Sequence, residues 1–210
     1  MSINPLLLPI EKDTETIRKT VLTTIIKMLT YRKWLKQEKL DENIIKIISI
    51  NSDDNLYKIK LDNYTNDSVI IKLLPQKVTG LNKSSIILDF IKTYKKEHKI
   101  LVIDDITDKA KQQLQNMPSM EVFNESFLML NLVDYVSSPQ YEILTSDESA
   151  EFLESYHVKK NKLPIIFNND PAALYLYVKK GDILRIIRNS EITGKSIGYR
   201  IVVNKFDIKL

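Results

Sequence analysis

The chain has no cysteine. That excludes disulfides and thiolate metal sites and suits a reducing compartment. Only four of its 210 residues are glycine, and neither a Walker A loop nor a dinucleotide-binding glycine fingerprint is present, so the two common phosphate cradles are missing. The two histidines, His98 and His157, stand far apart with no acid–His–nucleophile arrangement around either; both read as surface or capping residues. Long apolar runs are also absent. The one near the start, Leu6-Leu7-Leu8, is flanked by Pro5 and Pro9 and lacks a basic leader, well short of the roughly 18 residues a membrane span needs. A soluble, unsecreted protein with no membrane partner and no cofactor is expected. No internal repeat or low-complexity tract stands out.

What is present is balanced charge: 31 basic against 27 acidic residues, net +4, with the signs mixed along the chain. A free-standing DNA binder usually concentrates basic residues on one element, although a mildly basic protein can sit beside nucleic acid when a larger partner supplies the field. Arginine is scarce. Of Arg18, Arg32, Arg185, Arg188 and Arg200, three fall in the C-terminal segment. Arginine makes planar multi-donor contacts where lysine makes solvated faces, so the specific polar contacts are expected there. An AT-rich genome accounts for the excess of Lys, Ile and Asn.

Periodicity outlines the elements. Ile17, Val21, Ile25, Met28 and Leu29 fall at helical spacing, predicting a helix over 14–30 capped by Asp13 or Thr14. The single Trp34 reads as a core or interface anchor, and 41–50 as a second helix. Leu56–Leu61 and Val69–Leu74 form a plausible hairpin, followed by a loop around Pro75 and Gly80. A helix from Ser84 or Ser85, a buried strand Lys99–Ile103, a helix Lys109–Asn116 stopped by Pro118, a strand Met120–Phe123 and a strand or short helix Phe127–Leu132 come next. Strands alternating with helices imply parallel pairing. After Ser137-Ser138-Pro139, Tyr141–Leu144 is extended and Thr145 or Ser146 starts a helix reaching about Tyr156. Leu163–Phe167 is extended, Asp170-Pro171 opens a short helix, and two strands, Ile183–Arg188 and Ile197–Val203, close the chain, with Thr193-Gly194 in the loop between them. The expected fold class is α+β in two domains. An N-terminal three-layer α/β domain covers 1–134, a linker 135–140, and a small C-terminal domain of mixed or antiparallel sheet with short helices 141–210.

The N-terminal element order is that of small nucleases that hold a divalent metal with an Asp on one strand and acid-x-Lys on the next. Lys72 offers the lysine, but Ile70 stands where the carboxylate is needed, so the oxygen cage for Mg²⁺ is incomplete. Asp104-Asp105 is the remaining acid pair and reads as a solvated strand-end turn without an x-Lys partner. No catalytic or metal residue is assigned. A stand-alone nucleic-acid-binding or degenerate nuclease-like protein remains an alternative, as does a generic two-domain adaptor.

The C-terminal segment carries an ordered set of motifs: Leu163-Pro164, Asp170-Pro171-Ala172-Ala173, Lys179-Lys180-Gly181-Asp182, Arg185-Ile186-Ile187-Arg188, Ser190-Glu191-Ile192-Thr193-Gly194 and Tyr199-Arg200. In order and spacing it resembles the C-terminal domain of the shared subunit five of eukaryotic RNA polymerases, and with it the small archaeal polymerase subunit that corresponds to this domain alone. Ile17-Arg18-Lys19-Thr20, and Ile100–Ile103 followed by Thr107, Ala110 and Lys111, resemble the jaw domain that the archaeal counterpart lacks. The Trp/Arg-rich lead before the first helix and the His that usually opens the C-terminal domain are missing. Such divergence would suit a large DNA virus encoding its own polymerase. The resemblance implies a non-catalytic subunit whose C-terminal domain docks on the largest polymerase subunit and whose N-terminal domain forms part of the lower jaw near downstream DNA. Partners would be the other polymerase subunits and duplex DNA bound without sequence preference. Location would be a viral factory and virion, or the nucleus for a cellular protein. Arg185, Arg188, Ser190, Glu191, Tyr199 and Arg200 are the expected interface residues, or else an Arg188–Glu191 pair and a core tyrosine serving only the fold. Lys109 and Lys111 are expected near DNA phosphate, or on a plain solvated helix face.

Overall fold

The computed structural model describes residues 13–39, 55–62, 68–78, 80, 85–115, 117–130, 138–190 and 194–204. The chain divides into two compact units, Met1–Leu130 and Asn131–Leu210. The expected helix at 41–50 and the turn at 63–67 lie outside the described residues.

The N-terminal unit starts with α1, Thr14–Tyr31, capped by Asp13, whose Oδ1 accepts from the Thr16 N–H at 2.9 Å. Hydrogen bonds from the Thr16 side chain and then from its N–H hold the Asp13 carboxyl below its ordinary range. A four-stranded sheet follows in the order β1-β2-β3-β4: β1 Leu56–Lys60, β2 Ser68–Val78, β3 His98–Ile106 and β4 Met120–Asn124. The first pair is the expected antiparallel hairpin, while β2–β3 and β3–β4 are parallel, bridged by α2, Ser85–Thr93, and α3, Asp108–Gln115. A short α4, Glu125–Leu128, follows β4. Leu74, Leu101, Ile103, Met120 and Val122 of the sheet pack against Ile87 of α2 and against Ala110 and Leu114 of α3. Ile17 and Val21 of α1 line one cavity with Leu73 and Val102, which alternate with Leu74 and Leu101 and so lie on the other face; helices thus stand on both faces. That explains the near-continuous apolar burial of β3.

Two expectations fail here. Pro75 lies inside β2, not in a loop. The register slips between Leu74 and Lys77, and such an irregularity tolerates a residue without an N–H. Asp104 and Asp105 are likewise within β3, not in a terminal turn. Asp105 faces Lys77 of β2, with Nζ 2.5 Å from Oδ2, and that contact lowers the carboxyl's pKa. Lys99, almost fully buried, donates from Nζ to the Tyr94 and Glu97 carbonyls at 3.0 and 2.9 Å. It thereby satisfies backbone acceptors just beyond α2, and burial pushes its pKa down.

The C-terminal unit has a mixed sheet in the order β5-β7-β8-β6, with β5 Gln140–Ile143, β6 Ile165–Phe167, β7 Ile183–Ser190 and β8 Gly194–Val203. Gln140 already pairs with Ile187. Only β6 is parallel to its neighbour β8. Helix α5, Ser146–Ser155, begins with a complete capping box: Thr145 Oγ1 accepts from the Glu148 N–H and Glu148 Oε2 accepts from the Thr145 N–H. Helix α6, Pro171–Leu176, has Asp170 as N-cap and Pro at N1. The closing hairpin is longer than its apolar run. Gly194 at φ +73° turns into β8, a conformation that an L side chain rarely adopts.

Candidate interaction surfaces

The hairpin β7–β8 carries the expected interface residues, and its register separates them. Arg185 lies opposite Tyr199, Leu184 opposite Arg200 and Arg188 opposite Ser196. Because side chains alternate along a strand, Arg185 and Tyr199 share one face while Arg188 and Arg200 share the other. On the first face Tyr199 packs with Ile183, Leu163, Phe152 and Ile201. Its ring lies 3.9 Å from that of Phe152, nearly parallel, with the exposed Tyr156 ring at 6.2 Å. Arg185 turns to Glu142, its cross-strand partner on β5, and Nε donates to Oε2 at 2.7 Å. These two residues are held within the unit. On the second face Ile143, Leu184 and Arg200 form one row across β5, β7 and β8. Ile143 and Arg188 are exposed and Arg200 is half-buried. Ser190 ends β7 opposite Gly194; Glu191 lies outside the described residues. His157 is exposed just past α5 at φ +50°, as a residue ending a helix.

In the N-terminal unit Lys109 is exposed on the first turn of α3 and Lys111 is half-buried. Two positions apart on a helix, they do not face the same way. The nuclease-like positions hold no acid–lysine pair in sequence: Ile70 is buried and Lys72 half-buried on β2. Asp104 approaches Glu125, whose pKa is raised by burial and then by the Asp104 charge. Among the described residues no group of three or more His, Asp or Glu side chains converges. Nor is any helix there long and apolar enough to cross a membrane.

One buried polar cluster of the unit escapes a reading of the sequence. Arg32, just after α1, grips Glu121 of β4 with both terminal nitrogens at 2.7 Å. His98 Nε2 sits 2.7 Å from Glu121 Oε1. Trp34 covers the group: its ring is 5.1 Å from the guanidinium carbon and edge-on to His98 at 5.0 Å. The Arg32 side chain is 1% exposed, that of Glu121 8% and that of His98 0%. His98 is therefore a core residue, not the expected surface one: opening β3 between α1 and β4 puts it inside. Burial alone would raise the Glu121 pKa, but the Arg32 charge and the bonds from His98 and Arg32 outweigh it and hold the carboxyl below its ordinary range. Eighty-nine residues separate Arg32 from Glu121, so no local pattern announces the pair.

Residues 130–202 match the family model described as RNA polymerase Rpb5, C-terminal domain. The whole chain aligns with the DNA-directed RNA polymerase subunit 5 of Acanthamoeba polyphaga mimivirus, 30% identical over 208 residues, covering 97% of this chain and 100% of the relative. The chain belongs to the RNA polymerase subunit 5 family. It is also 32% identical over 199 residues to the Dictyostelium discoideum DNA-directed RNA polymerases I, II, and III subunit rpabc1, covering 89% of this chain and 95% of that one. The Caenorhabditis elegans RPABC1 is 37% identical over 107 residues, 50% of this chain and 51% of the relative. The expected membership thus holds over the full length, with both viral and eukaryotic relatives.

Proposed function

We propose that this chain is a non-catalytic subunit of a multisubunit DNA-directed RNA polymerase. Its C-terminal unit docks on the largest subunit and its N-terminal unit forms part of the lower jaw beside downstream DNA. The observation that carries the reading is the end-to-end alignment with a polymerase subunit 5, in which neither chain has a large unmatched part. The domains divide within the 131–140 stretch, and the jaw comprises the three-layer sheet unit. Location follows the polymerase: a viral factory and virion for a virus-encoded chain, the nucleus for a cellular one.

The hairpin geometry narrows the docking surface. Arg185 and Tyr199 are engaged inside their own unit, which leaves Arg188 and Arg200, with the exposed Ile143 at the far end of Arg200's row. An exposed apolar side chain sharing a sheet face with multi-donor arginines has the usual ingredients of an interface. Affinity capture of the chain from the cells or virions that make it tests the reading. The largest polymerase subunit should be recovered with it, and its absence would sink the proposal. In the same assay Arg188→Glu with Arg200→Glu should loosen assembly while the isolated chain keeps its thermal transition. Loss of both together would mean that these residues serve only the fold.

A further inference from the structure

Helix α5 is only partly covered by its own unit. None of its ten residues is fully buried, although Phe152 and Leu153 pack beside Leu163 and Ile183. Just past its end Tyr156 is 64% exposed, its ring centre 5.0 Å from that of Phe152. Ile197 stands two residues before Tyr199, on the same face of β8, and is 56% exposed. Around the Phe152–Tyr199 stack, aromatic and aliphatic surface therefore stays open on this side of the sheet. Tyr156 also divides the charges of the segment. From Ser146 to Ser155 the only charged residues are Asp147, Glu148, Glu151 and Glu154. From Val158 to Lys162 they are Lys159, Lys160 and Lys162. All of these side chains are exposed.

We propose that this side of the C-terminal unit pairs with a second copy of the chain about a two-fold axis at Tyr156. The order of charges is self-complementary. Two copies laid antiparallel set the acidic stretch of each against the lysines of the other, and the two Tyr156 rings meet on the axis. Every ionic contact is then made twice, as in any isologous interface. A partner of one charge sign would match one half of the segment and oppose the other. An exposed aromatic side chain with a polar rim is also the usual composition of an interface centre. Within α5, Asp147 and Glu151 are like charges four positions apart, which destabilise a helix on its own; lysines of a second copy offset them. The pairing side carries Tyr199 and is opposite to the side that carries Arg188 and Arg200. The inference thus goes beyond the polymerase reading and does not rest on it.

The experiment is analytical ultracentrifugation of the full chain over a concentration series reaching about 100 µM, which covers weak association. It should show a single equilibrium between the 24.4 kDa monomer and a dimer of twice that mass, and the dimer should weaken as salt is raised. Tyr156→Ala should raise Kd at least about tenfold, with an unchanged thermal transition because the ring is mostly exposed. The deciding arm uses two charge reversals. Glu151→Lys in one sample and Lys160→Glu in another should each give monomers, since each homodimer would oppose like charges at both contacts. Mixing the two should restore the dimer, because only the mixed pair sets unlike charges against each other twice; a misfolded variant does not give that result. A monomer throughout the series, assemblies larger than a dimer, or a dimer indifferent to salt would each overturn the proposal. So would an unchanged Kd for Tyr156→Ala, or reversal variants that fail to pair on mixing.

Discussion

Glu121→Gln removes one negative charge from the centre of the N-terminal unit and leaves the shape almost unchanged. Arg32 would then sit 1% exposed with no counter-charge, bonded to an amide that offers one acceptor in place of two. Breaking a buried pair on one side costs about 3–5 kcal/mol, and the surviving acceptor puts this variant near about 3 kcal/mol. At roughly 3 °C per kcal/mol for a unit of this size, the midpoint should fall by about 10 °C. Urea and thermal melts followed by fluorescence of Trp34, the single tryptophan, measure this directly, because its ring covers the cluster. The apolar double variant Arg32→Met with Glu121→Leu should recover most of the loss, since neither charge is then buried. A pH series adds an independent check. The Glu121 pKa is lower folded than its ordinary 4.5, so the unfolded chain binds the proton more readily. The stabilisation is therefore complete above about pH 4.5 and is lost as pH falls through the lower folded value. Glu121→Gln should remove that part of the acid slope. A loss under about 1 kcal/mol, typical of an exposed pair, would refute the reasoning, as would a double variant less stable than the single one.

Two smaller changes probe local geometry in the C-terminal unit. Thr145→Ala deletes half of the capping box at α5 and should cost about 1 kcal/mol, read as a shifted urea midpoint with unchanged slope; no shift would mean that the box does not limit stability. Gly194→Ala meets no atom within 4 Å but must adopt φ +73°, so a cost of about 1 kcal/mol from backbone strain alone is expected in the same melt, and a stabilised variant would contradict it.

The parts of the fold that are legible in the sequence are those encoded over three or four residues. Asp13, Thr145 and Asp170-Pro171 announce α1, α5 and α6 because a cap bonds the N–H groups two or three positions ahead. The run Lys99–Ile103 announces a strand covered on both faces. Where a signal and its consequence sit on different strands, the sequence misleads. Pro75 looks like a break until β3 is seen to pair on both sides of a register slip. Asp105 looks like part of a terminal turn until Lys77 comes opposite on β2, though it stays exposed as expected.

By itself, the sequence determined the order of helices and strands, the parallel crossovers of the first unit, the capped helices of the second and the ordered motifs that carry family membership. Only the tertiary structure decided which residues could act together. It buried Arg32, His98 and Glu121 in one cluster, and on the closing hairpin it engaged Arg185 with Glu142 and Tyr199 with Phe152 on one face while leaving Arg188 and Arg200 on the opposite face. Caps and periodicity arise from bonds between chain neighbours, whereas these groupings depend on strand register and helix packing, which bring distant residues into contact.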